Sequence, residues 1–340
     1  MRVKNGKILD KPFLIKHIKN YTRYSRCWKL INMRRILVIG ASGQIGSELV
    51  PELRKKYGID NVIASDKNSN SSDMVIELDI LNKERLSSVI KESDINTVFN
   101  LASILSASGE IEPLKAWNVN LNGLLNVLEI CKEFNVDRMI WPSSIAAFGP
   151  TTPRVFTPNE TILDPNTMYG ITKVTGELLA NYYFKRYNLD TRSVRLPGII
   201  SSEIPPKGGT TDYAVEIFYG AIKEKKYTSF VSKDTVLPMM YILDCIRCLI
   251  NLLEADVSSL KRRVYNVTSM SFSVEELAAE IKKHIPDFQV DYNPDFRQEI
   301  ADSWPKTIDD SLAREEWGWE PSFNLETMTK DMIDILSKRL

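Results

Sequence analysis

A tyrosine, a lysine and a serine in this chain are spaced as an acid–base site for an alcohol requires. Tyr169 and Lys173 lie four residues apart in Tyr-Gly-Ile-Thr-Lys, a spacing that puts both side chains on one face of a helix. A neighbouring ammonium favours the phenolate and lowers the pKa of a tyrosine from its usual value of about 10. Such a tyrosine can remove the proton of an alcohol while a cofactor accepts the hydride from the same carbon. Ser144 follows an apolar run ahead of the tyrosine, where its hydroxyl could hold the substrate oxygen.

A glycine-rich segment nearer the N-terminus predicts a site for the phosphates of a dinucleotide. Gly-Ala-Ser-Gly-Gln-Ile-Gly, residues 40–46, follows the aliphatic run Arg35–Ile39 and precedes apolar residues at helical spacing. Glycine there permits a tight turn and a close approach of the backbone to a pyrophosphate, which the N-terminus of the next helix also attracts. Asp66 ends the second apolar run, where a carboxylate can bind ribose hydroxyls and repel a 2′-phosphate. We therefore expect NAD rather than NADP, unless Asp66 only forms a turn with the polar residues after it.

The elements that must position these residues alternate between short apolar runs and amphipathic stretches. Continuous apolar runs are typical of strands that are buried on both faces of a sheet. We expect strands at Arg35–Ile39, Asn61–Ala64, Met74–Leu78, Thr97–Leu101, Arg138–Pro142 and Arg192–Leu196. We expect helices at Ile45–Tyr57, Asn82–Glu92, Pro113–Phe134 and Thr167–Tyr187. The alternation predicts right-handed βαβ units, and therefore an α/β fold of the Rossmann type, a doubly wound parallel sheet with a smaller C-terminal substrate-binding cap.

This alternation and the charge distribution divide the chain into three parts. Residues 1–32 are a basic N-terminal extension with nine Lys and Arg and a single acid, residues 33–200 are the NAD-binding domain, and residues 201–340 mainly form the cap, with some segments returning to the first domain. The extension is either a dispensable segment ahead of a start at Met33 or a mitochondrial transit peptide. Its six Lys, three Arg and one Ser differ from the Arg- and Ser-rich composition of such peptides. If the extension is dispensable we expect a cytoplasmic protein, and if it is a transit peptide we expect a mitochondrial matrix protein.

The composition excludes several other classes of protein. Lys and Arg equal Asp and Glu at 44 each, and outside the extension 43 acids exceed 35 bases, which disfavours binding to nucleic acid. No apolar run reaches the roughly 20 residues needed to cross a membrane. With only two histidines and four cysteines, the chain offers few ligands for a metal site, so we expect no metal. Cys245 and Cys248 fall within the apolar run Tyr241–Leu252, which predicts buried helix positions rather than a redox pair.

In this combination and order, the motifs resemble those of the short-chain dehydrogenase/reductase superfamily, in its extended, epimerase-like branch. The resemblance extends from Arg34 to the C-terminus. Besides the glycine-rich segment, Asp66 and the Tyr-Lys pair, its motifs are Leu78-Asp79-Ile80, Asn100-Leu101-Ala102, Asn118-Val119-Asn120, Ser143-Ser144, Arg195-Leu196-Pro197-Gly198 and Trp317-Gly318-Trp319-Glu320-Pro321. It implies cofactor contacts from Gly40, Gly43, Gln44, Ile45, Gly46, Asp66, Asp79, Ile80, Leu101, Ala102, Asn120, Tyr169, Lys173 and Leu196.

Within that branch, the chain is similar to the L-threonine 3-dehydrogenase family of the short-chain type. The segments that carry this similarity are Leu105-Ser106 with Gly109-Glu110, Ser143–Gly149, Arg195–Ser201, Gly208–Ala214, Leu237–Tyr241 and Ala301–Pro305. The similarity implies oxidation of L-threonine by NAD to 2-amino-3-ketobutyrate, in threonine degradation toward glycine. It assigns proton removal to Tyr169, and it assigns tuning of that tyrosine and contact with the nicotinamide ribose to Lys173. It assigns substrate contacts to Ser106, Ser143, Ser144, Tyr169 and Thr211, although the family commonly has Ser-Thr in place of Ser143-Ser144.

Other interpretations of the same residues stay open. Gly208–Thr211 could only turn the chain and cap a helix, and Ser106 could be a solvated loop serine. A nucleotide-sugar epimerase or dehydratase would share the serine, the tyrosine and the lysine, but it needs basic residues for a diphosphate, and residues 201–240 contain five lysines and no arginine. A cofactor-sensing protein without activity would not need the tyrosine and the lysine. The superfamily resemblance also implies a homodimer, formed by the helices near Asn118–Phe134 and Thr167–Tyr187.

Overall fold

The structure is a computed structural model that describes residues 34–68 and 74–340. The basic extension 1–32 and the expected start at Met33 lie outside the described residues. The strands are β1 Ile36–Ile39, β2 Val62–Asp66, β3 Val75–Glu77, β4 Thr97–Asn100, β5 Arg138–Ile140, β6 Ser143–Ser144, β7 Asp190–Leu196, β8 Gly198–Ile200, β9 Lys226–Ser229, β10 Val236–Tyr241, β11 Val264–Asn266, β12 Met270–Ser273 and β13 Gln289–Tyr292. The α-helices are α1 Gly46–Tyr57, α2 Lys83–Glu92, α3 Ser106–Ile111, α4 Pro113–Trp117, α5 Gly123–Glu133, α6 Met168–Tyr187, α7 Tyr213–Lys223, α8 Ile242–Glu254, α9 Val274–His284, α10 Arg297–Asp302, α11 Ser311–Trp317 and α12 Leu325–Arg339.

The main sheet is parallel throughout and has the strand order β3-β2-β1-β4-β5-β7-β11, with β6 also paired to β7. The order runs outward in both directions from β1 and β4, because the chain crosses from one half of the sheet to the other between β3 and β4. A crevice opens between the carboxyl ends of the strands at such a switch point, and doubly wound sheets bind their ligands there. The expected Rossmann-type doubly wound sheet is confirmed.

The composition of β1 explains why this strand lies in the middle of the sheet. Ile36 and Val38 pack into the hydrophobic core on one face of the sheet, and Leu37 and Ile39 pack into a separate core on the other. Successive side chains of a strand point to opposite faces, so a strand that is covered on both sides needs a continuous apolar run. Helix α1 contributes to the first core, and α2 and α5 contribute to the second.

The residues beyond 200 build two small sheets, one of them together with β8, and also return to the main sheet. Strand β10 pairs parallel to β8 and antiparallel to β12, and β9 pairs parallel to β13. Strand β11 extends the main sheet beside β7, and α8 packs against α1 and β7. Helix α8 buries Cys245 and Cys248, both as free thiols, so the buried helical positions expected for them are confirmed. None of the helices in the described part of the chain has the length and apolar character needed to cross a membrane.

The stretch expected as one helix at Pro113–Phe134 is divided. A π-helical turn, Asn118–Asn122, separates α4 from α5. It carries Asn120, whose side-chain nitrogen donates to the Ile104 carbonyl (2.9 Å) and whose Oδ1 accepts from the Ile104 N–H (2.7 Å). The apolar spacing indicates a helix on both sides of this turn but does not reveal the extra residue in it. Such π-helical turns are often found beside functional sites, and this one fixes the loop that follows β4.

Candidate active site

A cavity of about 570 Å³ opens at the carboxyl ends of β1, β4 and β7, around the switch point of the main sheet. The predicted site residues that line it are Gly40, Gly43, Gln44, Ile45, Gly46, Leu101, Ser106, Ser143, Ser144, Tyr169, Lys173, Leu196 and Thr211. The predicted site residues outside its lining are Asp66, Asp79, Ile80, Ala102 and Asn120. The fold thus gathers the glycine-rich turn, the serine pair, the tyrosine and the lysine around one space.

The glycine-rich turn is packed so closely that side chains would not fit. Gly40 has a φ of +84°, in the left-handed region, and a β-carbon there would lie 2.9 Å from the Ala102 nitrogen. A β-carbon on Gly46 would lie 2.3 Å from the Gly40 carbonyl oxygen. Glycine alone satisfies both conditions. The turn and the N-terminus of α1 therefore offer bare backbone to the cavity, as the pyrophosphate of a dinucleotide requires.

Asp66 ends β2 beside this turn. Its carboxylate accepts hydrogen bonds from the Ser42 N–H (3.0 Å) and from the Asn68 N–H (3.2 Å). The carboxylate therefore does stabilise a local turn, which is the alternative to cofactor binding that the sequence left open. A carboxylate has about four lone-pair directions, so its oxygens can still accept from ribose hydroxyls. Contact between Asp66 and the cofactor stays a prediction.

The other predicted cofactor residues outside the cavity lining have partners within the protein. Asp79 forms an ion pair with Lys67 (2.8 Å), and Ile80 is buried in the core. Asn120 uses its amide to hold the backbone of Ile104, as described above. Asn120 thus shapes the cavity wall, and its contact with the cofactor stays a prediction. Contacts of Asp79, Ile80 and Ala102 with NAD stay predictions.

Asn100, at the end of β4, has a buried side chain that lacks a partner. It is 2% exposed and lines the cavity, yet neither its side-chain nitrogen nor its oxygen has a hydrogen-bond partner in the described residues. Leaving a buried polar group unpaired costs about 1–3 kcal/mol. A polar ligand in the cavity would remove that cost. Together with the bare backbone of the turn, the unpaired amide shows that these residues fit a dinucleotide.

Tyr169 lies at the start of α6, where the Thr167 hydroxyl caps the helix by accepting from the Gly170 N–H (3.1 Å). Burial raises the pKa of Tyr169 from 10 to about 12, and hydrogen bonds with Ser144 and Ser103 lower it in part. The phenol is therefore protonated at neutral pH in this state. Ser144 is at the predicted place beside the phenol, whereas Ser103 was not predicted.

Lys173 lies one turn further along α6 and is buried. Burial lowers its pKa from 10.5 to about 7, and the carboxylate of Glu177 raises the pKa in part. Its Nζ donates to the Pro142 carbonyl (2.8 Å) and lies 4.7 Å from the ring centre of Trp141 and 5.3 Å from that of Tyr169. The four-residue spacing thus brings the amine to the face of the phenol ring.

Ser143 precedes Ser144 but uses its hydroxyl inside the protein. Its Oγ donates to Glu177 Oε1 (2.5 Å), and Glu177 in turn forms an ion pair with Arg195 (2.8 Å). Adjacent side chains of a strand point in opposite directions, which explains why the two hydroxyls diverge. A serine hydroxyl has one proton to donate, and that of Ser143 is donated to Glu177. Ser143 could therefore only accept a hydrogen bond from a substrate. Contact between Ser143 and the substrate stays a prediction.

The other end of the cavity is closed by residues 204–212, which lie over α3. The Oγ of Ser106 is 2.9 Å from the Oγ1 of Thr210, and the Thr210 N–H donates to the same serine oxygen (3.2 Å). Asp212 accepts from two glycine N–H groups of the segment, both at 2.8 Å, so the segment is a turn as well as a wall of the cavity. Ser106 is 4% exposed, which contradicts the interpretation as a solvated loop serine. Thr211 is half-buried and lines the cavity.

Trp304 completes the lining from the C-terminal part of the chain. Its side chain is 3% exposed, and its carbonyl accepts from the Nε of Arg154 (3.1 Å). Sequence reasoning left Trp304 without a role, did not name Ser103, and named Thr210 only as a member of the segment Gly208–Thr211. All three belong to irregular segments, in which no periodicity or spacing relates a residue to a distant site.

Comparison with known proteins agrees with this geometry. A family model described as the NAD dependent epimerase/dehydratase family matches residues 36–268. The chain belongs to this family. Together with the dehydrogenase structures described next, this membership supports an NAD-dependent oxidoreductase of the short-chain dehydrogenase type.

Several proteins with solved structures are similar to this member of the NAD dependent epimerase/dehydratase family. It is similar to the L-threonine dehydrogenase from Phytophthora infestans, with 48% identity, a TM-score of 0.88, and coverage of 90% of this chain and 100% of that one. It is also similar to a monomeric L-threonine 3-dehydrogenase from a metagenome, with 48% identity, a TM-score of 0.87, and coverage of 89% and 99%. Among curated proteins, an uncharacterized epimerase/dehydratase from Staphylococcus saprophyticus is 46% identical over 312 residues, which are 89% of this chain and 97% of that protein. The resemblance to short-chain L-threonine 3-dehydrogenases is confirmed.

Proposed function

We propose that this protein oxidises the 3-hydroxyl of L-threonine with NAD, giving 2-amino-3-ketobutyrate and NADH, in threonine degradation toward glycine. The observation that carries the proposal is the substrate end of the cavity, which the Ser106–Thr210 pair closes and which presents hydroxyl and backbone groups. A small zwitterion needs such donors and acceptors rather than a long groove. The likeness to the L-threonine dehydrogenase from Phytophthora infestans supports the same substrate.

In this proposal Tyr169 removes the proton of the substrate hydroxyl. Its pKa of about 12 favours the protonated phenol, so the tyrosine needs stabilisation of its charged form. Lys173 supplies a positive charge near the ring when it is protonated, and Ser144 and Ser103 can donate hydrogen bonds to the phenolate oxygen. When bound, NAD supplies the acceptor for the hydride from the carbinol carbon. Proton removal and charge stabilisation are thereby assigned to groups of this chain.

Two further residues position the substrate in this proposal. Ser144 accepts or donates a hydrogen bond at the reacting oxygen, because its hydroxyl is already beside the phenol of Tyr169. Thr211 binds the substrate carboxylate, because its side chain lines the cavity and has no hydrogen-bond partner among the described residues. Lys207 lies at the same end of the cavity and adds positive charge there.

The cofactor is held, in this proposal, by the first part of the chain. Residues 40–46 bind the pyrophosphate, Asp66 binds the adenosine ribose, and the unpaired amide of Asn100 gains a partner. Division of the chain near residue 200 into an NAD-binding domain and a substrate-binding cap is part of the same proposal.

We also propose a homodimer that forms through α5 and α6. These helices contact each other and carry exposed apolar side chains, among them Leu125 on α5 and Leu178 and Tyr182 on α6. Leu178 is 66% exposed, and apolar patches on a surface commonly mark interfaces. A relative at 48% identity is described as monomeric, so the oligomeric state of this chain is a matter for measurement.

The test follows NADH absorbance with purified protein, NAD and, in parallel, L-threonine, its stereoisomers, L-serine and UDP-glucose. Turnover with L-threonine that is lost in Tyr169→Phe, while NAD still binds, supports the proposal. Tyr292→Phe alters a tyrosine of β13 away from the cavity and is the matched control, which should keep its activity. An epimerase forms no net NADH, so conversion of UDP-glucose is followed separately by chromatography of the sugar nucleotide. Such conversion without threonine turnover would instead favour a nucleotide-sugar epimerase, an activity of the kind that the family description names.

A further inference from the structure

Glu177 lies one turn beyond Lys173 on α6 and outside the cavity lining. Because Tyr169, Lys173 and Glu177 follow one another at intervals of four residues, they share one face of the helix. Glu177 is 5% exposed, although a carboxylate is costly to bury unless its charge is paired. The proposed reaction uses the first two residues and gives the third no task.

The carboxylate of Glu177 is fixed by contacts from two strands. Oε1 accepts from the Oγ of Ser143 on β6 (2.5 Å) and from the Nε of Arg195 on β7 (2.9 Å). Oε2 accepts from the Nη2 of Arg195 (2.8 Å). Arg195 is itself held by the Asn159 carbonyl (2.7 Å) and by Asn266 Oδ1 (3.1 Å). Neither oxygen of Glu177 can turn away without breaking a buried hydrogen bond.

The charges around Lys173 make this carboxylate important. On its own helix Lys173 lies beside the phenol ring of Tyr169, with the carboxylate of Glu177 one turn further along. From the end of β5 it meets the Trp141 ring and the Pro142 carbonyl. The rings and the carbonyl favour a cation but carry no full charge. Glu177 is the anion that acts on this amine, and burial acts against it by favouring the neutral form. The guanidinium of Arg195, on β7, is a cation that shares the same carboxylate.

We propose that Glu177 is a positioning residue that keeps Lys173 protonated, with Ser143 and Arg195 holding its carboxylate in place. The consequence for catalysis rests on the proposed function, because it assumes that protonated Lys173 assists Tyr169. The two adjacent serines then have separate tasks. Ser144 serves the substrate oxygen, and Ser143 fixes the negative charge behind the lysine.

The first test measures the protonation of Lys173 without any substrate. Trace acetylation by acetic anhydride at a series of pH values, read at Lys173 by mass spectrometry, reports the fraction of neutral amine. Glu177→Gln keeps the size of the side chain and removes its charge, so the midpoint of labelling should fall by roughly one pH unit or more. Glu177→Asp keeps the charge and should bring the midpoint back toward that of the wild type. An unchanged midpoint in Glu177→Gln overturns the proposal.

Two further variants distinguish the loss of the Glu177 charge from a general disturbance of the fold. Glu316→Gln removes another buried carboxylate, paired with Arg262 and far from Lys173 in the sequence, and should leave the midpoint in place. Arg195→Gln removes the competing cation but keeps an amide that can still donate a hydrogen bond to the carboxylate. It should therefore move the midpoint upward, and it decides the matter if Glu177→Gln does not fold. A downward or absent shift in Arg195→Gln contradicts the proposal.

The second test uses the pH dependence of NAD reduction. Glu177→Gln should move the acid limb of kcat/KM to higher pH, because a neutral Lys173 no longer stabilises the phenolate. A lower kcat/KM with an unmoved acid limb would reduce Glu177 to a purely structural residue and overturn the proposal. If the wild type fails to oxidise threonine, the labelling result still tests the role of Glu177, so the two proposals fail separately.

Discussion

Ser106 and Thr210 are far apart in the sequence, and their hydroxyl oxygens lie 2.9 Å apart in the structure. Ser106 begins α3, which follows the fourth strand of the main sheet, and Thr210 belongs to the segment that covers it. Both side chains are buried, and the neighbouring Ser108 N–H donates to the Gly208 carbonyl (3.2 Å). The closure of the substrate end therefore depends on this pair of hydroxyls, on the hydrogen bond from the Thr210 N–H to the Ser106 oxygen and on this backbone hydrogen bond.

Breaking this pair should weaken substrate binding more than it slows the chemical step. Ser106→Ala and Thr210→Val should each raise the KM for L-threonine roughly ten-fold, since a buried hydrogen bond that loses one partner costs about 1–3 kcal/mol. Because the two hydroxyls act on each other, the double variant should be little worse than the more severe single variant. Steady-state kinetics of all three variants measure the coupling. Effects that add in full would show that the two residues act independently.

The close packing of the glycine-rich turn leads to a prediction on cofactor affinity. In Gly46→Ala the new β-carbon would lie 2.3 Å from the Gly40 carbonyl oxygen, so the turn must move. We expect NAD affinity to fall by roughly 100-fold, the loss that an energy of about 2.7 kcal/mol produces. Gly318→Ala is the matched control, because it strains a residue at φ +72° where nothing lies within 4 Å of the β-carbon. It should lower the unfolding temperature and leave the NAD dissociation constant, measured by fluorescence titration, unchanged.

The position of Asp66 leads to a prediction on cofactor choice. Asp66→Asn keeps an oxygen that can accept from the Ser42 N–H and removes the negative charge. The ratio of kcat/KM for NADP to that for NAD should rise roughly five-fold or more, because a charge repulsion of about 1 kcal/mol at the surface is removed. Parallel assays with the two cofactors give the ratio. An unchanged ratio would mean that Asp66 only forms the turn with Asn68.

Much of this architecture could be predicted, because local signals specify it. The apolar run of β1 fills both faces of a sheet, and the glycines of residues 40–46 are required by contacts within a few ångströms of one another. Tyr169 and Lys173 share a helix, so their spacing alone predicts that they lie together.

The parts that could not be predicted depend on contacts between distant segments. Ser103 and Thr210 reach the site from loops, and Trp304 reaches it through a C-terminal segment held by Arg154. The direction in which Ser143 points depends on the pleat of a two-residue strand and on Glu177, a full helix turn beyond the recognisable motif. No spacing rule in the sequence relates these residues to the cavity.

The exposed apolar face of α6 leads to a prediction on assembly. Leu178→Lys places a charge at a position that is 66% exposed in the single chain. If α5 and α6 form the dimer, this variant should sediment as a monomer in analytical ultracentrifugation, because an unpaired charge is costly at the centre of an apolar interface. Leu243→Lys, at an exposed position on α8, is the control and should sediment like the wild type. A wild type that is already monomeric would refute the dimer.

The buried amine of Lys173 should make the stability of the protein depend on pH in a defined direction. Its pKa is about 7 in the folded chain and has its ordinary value of 10.5 when the chain unfolds. Between these values the unfolded chain binds a proton that the folded chain does not, so this group makes the free energy of unfolding rise with pH. Lys173→Met removes the group, so the variant should be more stable than the wild type at neutral pH. This advantage should be largest at or below about pH 7 and should shrink toward pH 10, while NAD reduction is lost. Urea unfolding of both proteins across this range measures the difference, and an advantage that stays constant or grows with pH would contradict the lowered pKa.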